Sequence, residues 1–134
     1  MTKKDLKNFH KLQIDLKSVE NEIAKIDAQI KRATAVYGIT TRGGKNKDGS
    51  EMIIELIKLK KDYQIRGGKI IAKQKEIERG LDMLSDPVER AVLRYRYIDN
   101  MEWSDVQIMI GYERSQTYRI HDNAINNLKK INMG

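Results

Sequence analysis

Phe9, Leu12, Leu16, Val19, Ile23, Ile26, Ile30, Ala33 and Tyr37 follow one another at alternating steps of three and four. Charged or polar residues fill most positions between them. A seven-residue repeat held this long predicts one helix from Lys3 to about Tyr37. A stripe so narrow gives a lone helix no core, so the helix needs a partner.

The pattern stops at Gly38. Residues 38–50 have loop composition, with Thr40-Thr41-Arg42-Gly43-Gly44-Lys45-Asn46-Lys47-Asp48-Gly49 at their centre. Ser50 is a candidate cap and Glu51 suits a first helical turn. A second helix is predicted from Glu51 to about Leu84. In it Leu56, Tyr63, Ile70, Ile77 and Leu84 recur at sevens, supported by Ile53 and Leu81. Lys60, Gly67 and Gln74 weaken the middle of that seam. The Gly67-Gly68 pair costs roughly 2 kcal/mol of helix propensity relative to alanine, and marks either a kink or a close approach of two backbones. Two helices of on the order of 50 Å each, joined by this loop, predict a long antiparallel, coiled-coil-like hairpin over residues 1–85. A two-helix hairpin buries little, which points to a homodimer.

A second pattern begins at Ser85-Asp86-Pro87, a capping residue followed by proline at the first helical position. Glu89 stands at capping-box spacing from Asp86. The helix from Pro87 to about Tyr97 aligns Val88, Val92 and Tyr95, and Asp99-Asn100 supplies a turn. A short helix from about Trp103 to Ile110 aligns Trp103, Val106 and Ile110. Gly111 ends it, a residue suited to positive φ. Tyr112 is expected to pack inward and Glu113 to cap a last helix, about Arg114 to Lys130. The inward stripe of that helix is Thr117, His121, Ala124, Ile125 and Leu128. Short helix, glycine turn and longer helix make a helix-turn-helix. The fold class expected is all-α, with the hairpin of residues 1–85 followed by a three-helix helix-turn-helix module over 86–134.

The run Pro87-Val88-Glu89-Arg90-Ala91-Val92-Leu93-Arg94-Tyr95-Arg96-Tyr97-Ile98, with Trp103-Ser104-Asp105-Val106, Ile110-Gly111-Tyr112 and Thr117-Tyr118-Arg119-Ile120-His121, resembles the fourth conserved region of bacterial sigma factors. It is more similar still to small phage-encoded regulators of the ArpU and RinA type, which often carry a Gly-Gly-Lys loop; Arg42-Gly43-Gly44-Lys45 holds that place here. The resemblance is specific over about residues 86–130 and looser over the hairpin. It implies a transcriptional regulator of phage or prophage genes that lacks the promoter-melting region of a sigma factor. It also implies that the start of the last helix enters the major groove of double-stranded DNA. Carried onto this sequence, the base-facing positions are Arg114, Ser115, Tyr118 and Arg119, with Gln116 and Asn123 adding phosphate or base contacts. Glu113, Gln107 and Thr117 depart from the pattern, which has a Ser or Thr cap, a small alanine and a valine there.

Charge changes this picture. The formal net charge of the 134 residues is +7, which suits a nucleic-acid partner. Residues 1–85 hold 19 Lys and Arg against 12 Asp and Glu, whereas residues 86–134 hold 7 of each. The DNA-reading module is thus neutral. A dimer, or hairpin residues such as Lys58, Lys60, Lys61, Arg66, Lys69, Lys73 and Lys75, would have to supply the attraction.

Candidate chemistry is sparse. No nucleophile–base pair, paired carboxylates or metal-ligand spacing stands out, so no enzyme activity, cofactor or metal is expected. His10 reads as solvated and His121 as a core-edge histidine. Trp103, Tyr95, Tyr97 and Tyr112 read as core, with Tyr118 open as a base-stacking residue. With no cysteine, no apolar run long enough for a bilayer and no signal peptide, the expected setting is the bacterial cytoplasm, without membrane contact. Two other functions fit the pattern: a small-terminase-like subunit for phage DNA packaging, and an interaction protein whose sigma-like module binds host RNA polymerase.

Overall fold

The computed structural model describes residues 1–37 and 47–131. Among them every regular element is helical: α1 (Lys3–Tyr37), α2 (Lys47–Asp82), α3 (Pro87–Leu93), α4 (Trp103–Ile110) and α5 (Arg114–Lys129). The fold class is all-α, as the apolar spacing predicts. Helix α2 begins at Lys47, so Ser50 lies inside it and is not its cap. The Arg42-Gly43-Gly44-Lys45 segment lies outside the described residues. Among the described residues no helix is long and apolar enough to cross a membrane.

The chain divides into two compact units. One joins Met1–Ile14 to Ala72–Gly134; the other is Asp15–Ile71. These limits differ from a division at 85/86, and the core of the first unit gives the reason. Leu6 and Phe9 of α1, and Ile77, Leu81 and Leu84 from α2 and just beyond it, are buried in one cluster with Leu93, Tyr97, Ala124, Ile125 and Leu128. The ends of both long helices therefore complete the C-terminal module. Leu6 is fully buried although the heptad reading starts at Phe9; it simply continues the stripe one step back.

The start of α1 is fixed by a reciprocal cap. The Thr2 backbone N–H donates to Asp5 Oδ2 at 2.8 Å, and the Asp5 and Leu6 amides donate to the Thr2 carbonyl. The hydrogen bond from Thr2 holds the Asp5 carboxyl below its ordinary value.

In the unit 15–71, Val19, Ile26 and Ala33 of α1 and Ile70 of α2 are buried. Lys60 Nζ reaches Asp27 Oδ1 at 2.7 Å, so a residue that weakens the seam by its polarity makes an ion pair across it. Helix α2 runs unbroken through Gly67-Gly68. Gly67 is buried against Leu16 and Val19: a Cβ there would meet Val19 Cγ1 at 3.5 Å and Leu16 Cδ1 at 3.8 Å, while one on Gly68 would meet nothing within 4 Å. At Gly67 the neighbours are the side chains of Leu16 and Val19 at ordinary van der Waals distance and at Gly68 there are none, so neither glycine marks a close approach of two backbones.

Within the first unit, Asp86 caps α3 by accepting from the amides of Val88 and Glu89, with Pro87 at the first position. Arg90 donates to the carbonyls of Leu84 and Ser85, which closes the exit from α2. Helix α3 continues as a π-helical turn over Arg94–Ile98, where the Asp99 amide donates to the Arg94 carbonyl. Asn100 then turns the chain at φ 56°, a left-handed conformation that asparagine tolerates.

Candidate nucleic-acid interface

Gly111 ends α4 at φ 74°, donating its amide to the Gln107 carbonyl, and only two further residues separate it from α5. Glu113 occupies the cap position of α5, but its side chain makes no capping bond. The Glu113 carbonyl instead accepts from the Thr117 amide and from Thr117 Oγ1, both at 2.8 Å. That explains how a threonine replaces valine at a fully buried position: its hydroxyl is satisfied within its own helix. Tyr112 does not pack inward. It is 42% exposed, because the left-handed turn at Gly111 directs the chain outward before α5 begins.

The inward face of α5 is Thr117, His121, Ala124, Ile125 and Leu128, all five buried. His121 is held by two bonds, from its Nε2 to the Tyr97 hydroxyl at 2.7 Å and from its Nδ1 to Asp122 Oδ1 at 3.1 Å. A carboxylate only accepts, so Nδ1 carries the proton and Nε2 accepts from the Tyr97 O–H. Burial pushes the His121 pKa below its ordinary value, against the pull of Asp122, and burial raises that of Tyr97. The histidine is a neutral strut that sets the rotation of α5. Glu89 plays a comparable part. It is buried and its carboxylate accepts two bonds from the Asn127 amide at 2.6 and 3.2 Å, so α3 is tied to α5. Glu89 thus does not close the capping box with Asp86.

The six candidate contact residues fall into two groups on the outer side of α5. Arg114, Ser115 and Tyr118 line one shallow concavity beside Glu113. Gln116, Arg119 and Asn123 line a cleft of about 310 Å³ whose opposite wall includes Asp86, Val88 and Tyr112. Five of the six are exposed; Tyr118 is half-buried. Its ring meets Trp103 edge-on at 4.9 Å, and its hydroxyl accepts from Arg114 Nε at 3.3 Å. Tyr118 is therefore a fixed rest for the Arg114 guanidinium, and its own face is partly used. The spacing of four residues carried that signal, since such pairs meet on a helix surface.

Other features had no clear sequence signal. Trp103 also meets His121 edge-on at 5.0 Å, and Arg96 stacks over Trp103 at 4.9 Å. The outermost stripe of α5 runs Ser115, Arg119, Asp122, and the Asp122 side chain is 75% exposed. With Glu113 it places negative charge beside the two arginines. Arg114 and Arg119 are thus balanced by Glu113 and Asp122, and these four residues carry no net charge.

No curated protein and no solved structure matches the chain. The description "Protein of unknown function (DUF1492)" belongs to a family that matches residues 31–129, which take in the last turns of α1 and all of α2, α3, α4 and α5. Over that span, about three-quarters of its length, the chain belongs to the DUF1492 family.

Proposed function

We propose that the chain is a sequence-specific DNA-binding transcriptional regulator of the ArpU and RinA type, acting on phage or prophage genes, with α5 as its reading helix. The observation that carries this reading is the outer face of α5. Its buried face is fixed by His121 and by the Glu89–Asn127 bond, while Arg114, Ser115, Arg119 and Asn123 stay exposed. A guanidinium so presented grips guanine O6 and N7 in two bonds, worth about 1–3 kcal/mol of discrimination per base pair. The short α4, the left-handed Gly111 and the longer α5 supply the geometry such a helix needs.

Selection of bound fragments from random-sequence DNA, with the full chain and an Arg119→Ala variant, tests the reading. The expected outcome is an enriched motif that the variant relaxes at one position. If neither protein enriches a motif, α5 does not read bases. One observation favours a polymerase contact by the same module: Ile108 and Met109 of α4 are 77% and 53% exposed, side by side. The dimer expected of the sequence would use exposed Ile54, Ile57 and Ile65 of α2, and light scattering on the purified chain reports it.

A further inference from the structure

The DNA-reading proposal leaves a deficit of charge, since residues 86–134 are formally neutral. Of the basic residues that sequence reasoning put forward to fill it, Lys73 and Lys75 lie in the unit of α5, and Lys73 stands 4.0 Å from Glu76. Lys58, Lys60, Lys61, Arg66 and Lys69 belong to the unit 15–71. Lys60 is committed to Asp27, Lys58 lies 3.6 Å from Glu55, and Arg66 rests over the Tyr63 ring.

The first turns of α1 hold a different set. Residues 1–14 carry four lysines against one aspartate and belong to the same compact unit as α5. Lys3, Lys7 and His10 recur at steps of four and three along one stripe of α1. They form one wall of a groove of about 320 Å³ whose other wall is Arg96, Asn100 and Trp103. Lys3, Lys7 and His10 are exposed, and among the described residues neither lysine has a carboxylate within 4.0 Å. Arg96 uses one N–H on the Met101 carbonyl and keeps the rest of its donors.

This groove is continuous with the start of α5. Arg96 stacks on Trp103, Trp103 meets Tyr118, and Tyr118 holds Arg114. Cations thus run from Arg114 to Arg96 and on to Lys7 and Lys3, along one flank of the reading helix. Asp5, on the same turns of α1, faces Thr2 rather than the groove.

We infer that the groove between the first turns of α1 and the π turn of α3 is a phosphate-binding flank, in which Lys3, Lys7 and Arg96 grip the DNA backbone beside α5. This rests on the DNA-reading proposal and adds what that proposal lacks. Base contacts by α5 specify; the groove positions the duplex and supplies the salt-dependent attraction. Both lysines are exposed on a helix and tolerate alanine without loss of fold.

The test compares full chains: native, Lys3→Ala/Lys7→Ala, Lys3→Arg/Lys7→Arg and Lys61→Ala/Lys69→Ala. Binding to duplex DNA is measured against salt concentration, with circular dichroism to verify the fold. The inference expects the Lys3→Ala/Lys7→Ala protein to bind all sequences more weakly and to lose about two from the slope of log affinity against log salt. The arginine pair keeps the native slope, and the Lys61→Ala/Lys69→Ala protein does too. Equal slopes for both alanine pairs would overturn the inference, because net charge alone would then account for binding. An enriched motif with a slope untouched by Lys3 and Lys7 also overturns it, while leaving the reading role of α5 standing. A slope that depends on Lys3 and Lys7 without any enriched motif supports the groove and removes base readout. No binding to DNA under any condition removes both.

Discussion

The two compact units are cut from the same pair of long helices but have very different interiors. In the unit of 1–14 and 72–134, Leu6, Leu81, Leu93, Leu128, Val92, Val106 and Thr117 are fully buried. Among the described residues of the unit 15–71 none of the large side chains reaches that level, and Met52, Ile54, Ile57, Leu59, Ile65 and Ile71 of α2 are exposed. The heptad stripes of α1 and α2 run through both, though Lys60 and Gly67 interrupt the stripe of α2 within 15–71. The difference comes from what lies beside the helix pair. Three short helices pack around the ends of α1 and α2 and enclose them, whereas two helices alone leave most of each surface open. Regular patterning therefore selects a helix pair, and a third layer turns it into a core.

Cavity formation is the strongest way to break this comparison. Leu128→Ala removes a fully buried side chain held between α5 and the helix ends, and should cost about 2–5 kcal/mol. Ile26→Ala, in the two-helix seam, should fall at or below the low end of that range, because its neighbours relax more easily. Segment-resolved amide exchange in urea separates the two units within one chain. Equal losses would mean that the seam of 15–71 is as well enclosed as the first unit.

Most of the first unit's architecture was legible because each local signal agreed with the packing. The five inward residues of α5, the glycine stop at Gly111 and the proline start at Pro87 all follow from spacing and cap chemistry. What spacing does not reveal is which distant segment fills a face. Nothing in the run Lys3–Leu6–Lys7–His10 says that it belongs beside Trp103 and Arg96, because that adjacency depends on α1 and α2 returning to the same place. Tyr112 misled for a related reason: one residue past a left-handed glycine, the helical period no longer applies. Glu89 stands at the spacing of a local cap, but its carboxylate accepts at long range from Asn127. The candidate site was legible as a list of residues on α5, but not as two groups, nor with Asp122 among them.

A smaller effect separates the units by pH. The first holds a buried ionisable side chain, His121, with Tyr97, Trp103 and Asp122 against it and the charges of Lys3 and Arg96 nearby. Its folded pKa lies below the ordinary 6.5, so the unfolded chain takes up the proton first as the pH falls. The contribution is complete above that value and is lost progressively below it, down to the folded pKa. Exchange protection in α5 should therefore fall between pH 7 and pH 5 more than in residues 15–71. His121→Gln should flatten the difference, and an unchanged pH profile in that variant would mean that other groups carry it.

The smallest expected effect is a gain. Gly68 lies in the interior of α2, exposed, with nothing within 4 Å of where a Cβ would stand. Gly68→Ala removes the entropic cost of glycine in a helix and should stabilise the chain by about 0.5–1 kcal/mol. The same substitution at Gly111 has the opposite sign despite equal space, because φ 74° costs an alanine about 1–2 kcal/mol. The pair separates two uses of glycine, one required by backbone geometry and one that the single chain does not require. Thermal unfolding of both variants measures the contrast. If Gly68→Ala instead lowers the midpoint, some other backbone must approach α2 at that spot. The open face that carries Ile54, Ile57 and Ile65 would then be covered by a second chain, and the thin interior of residues 15–71 would be half of a larger one.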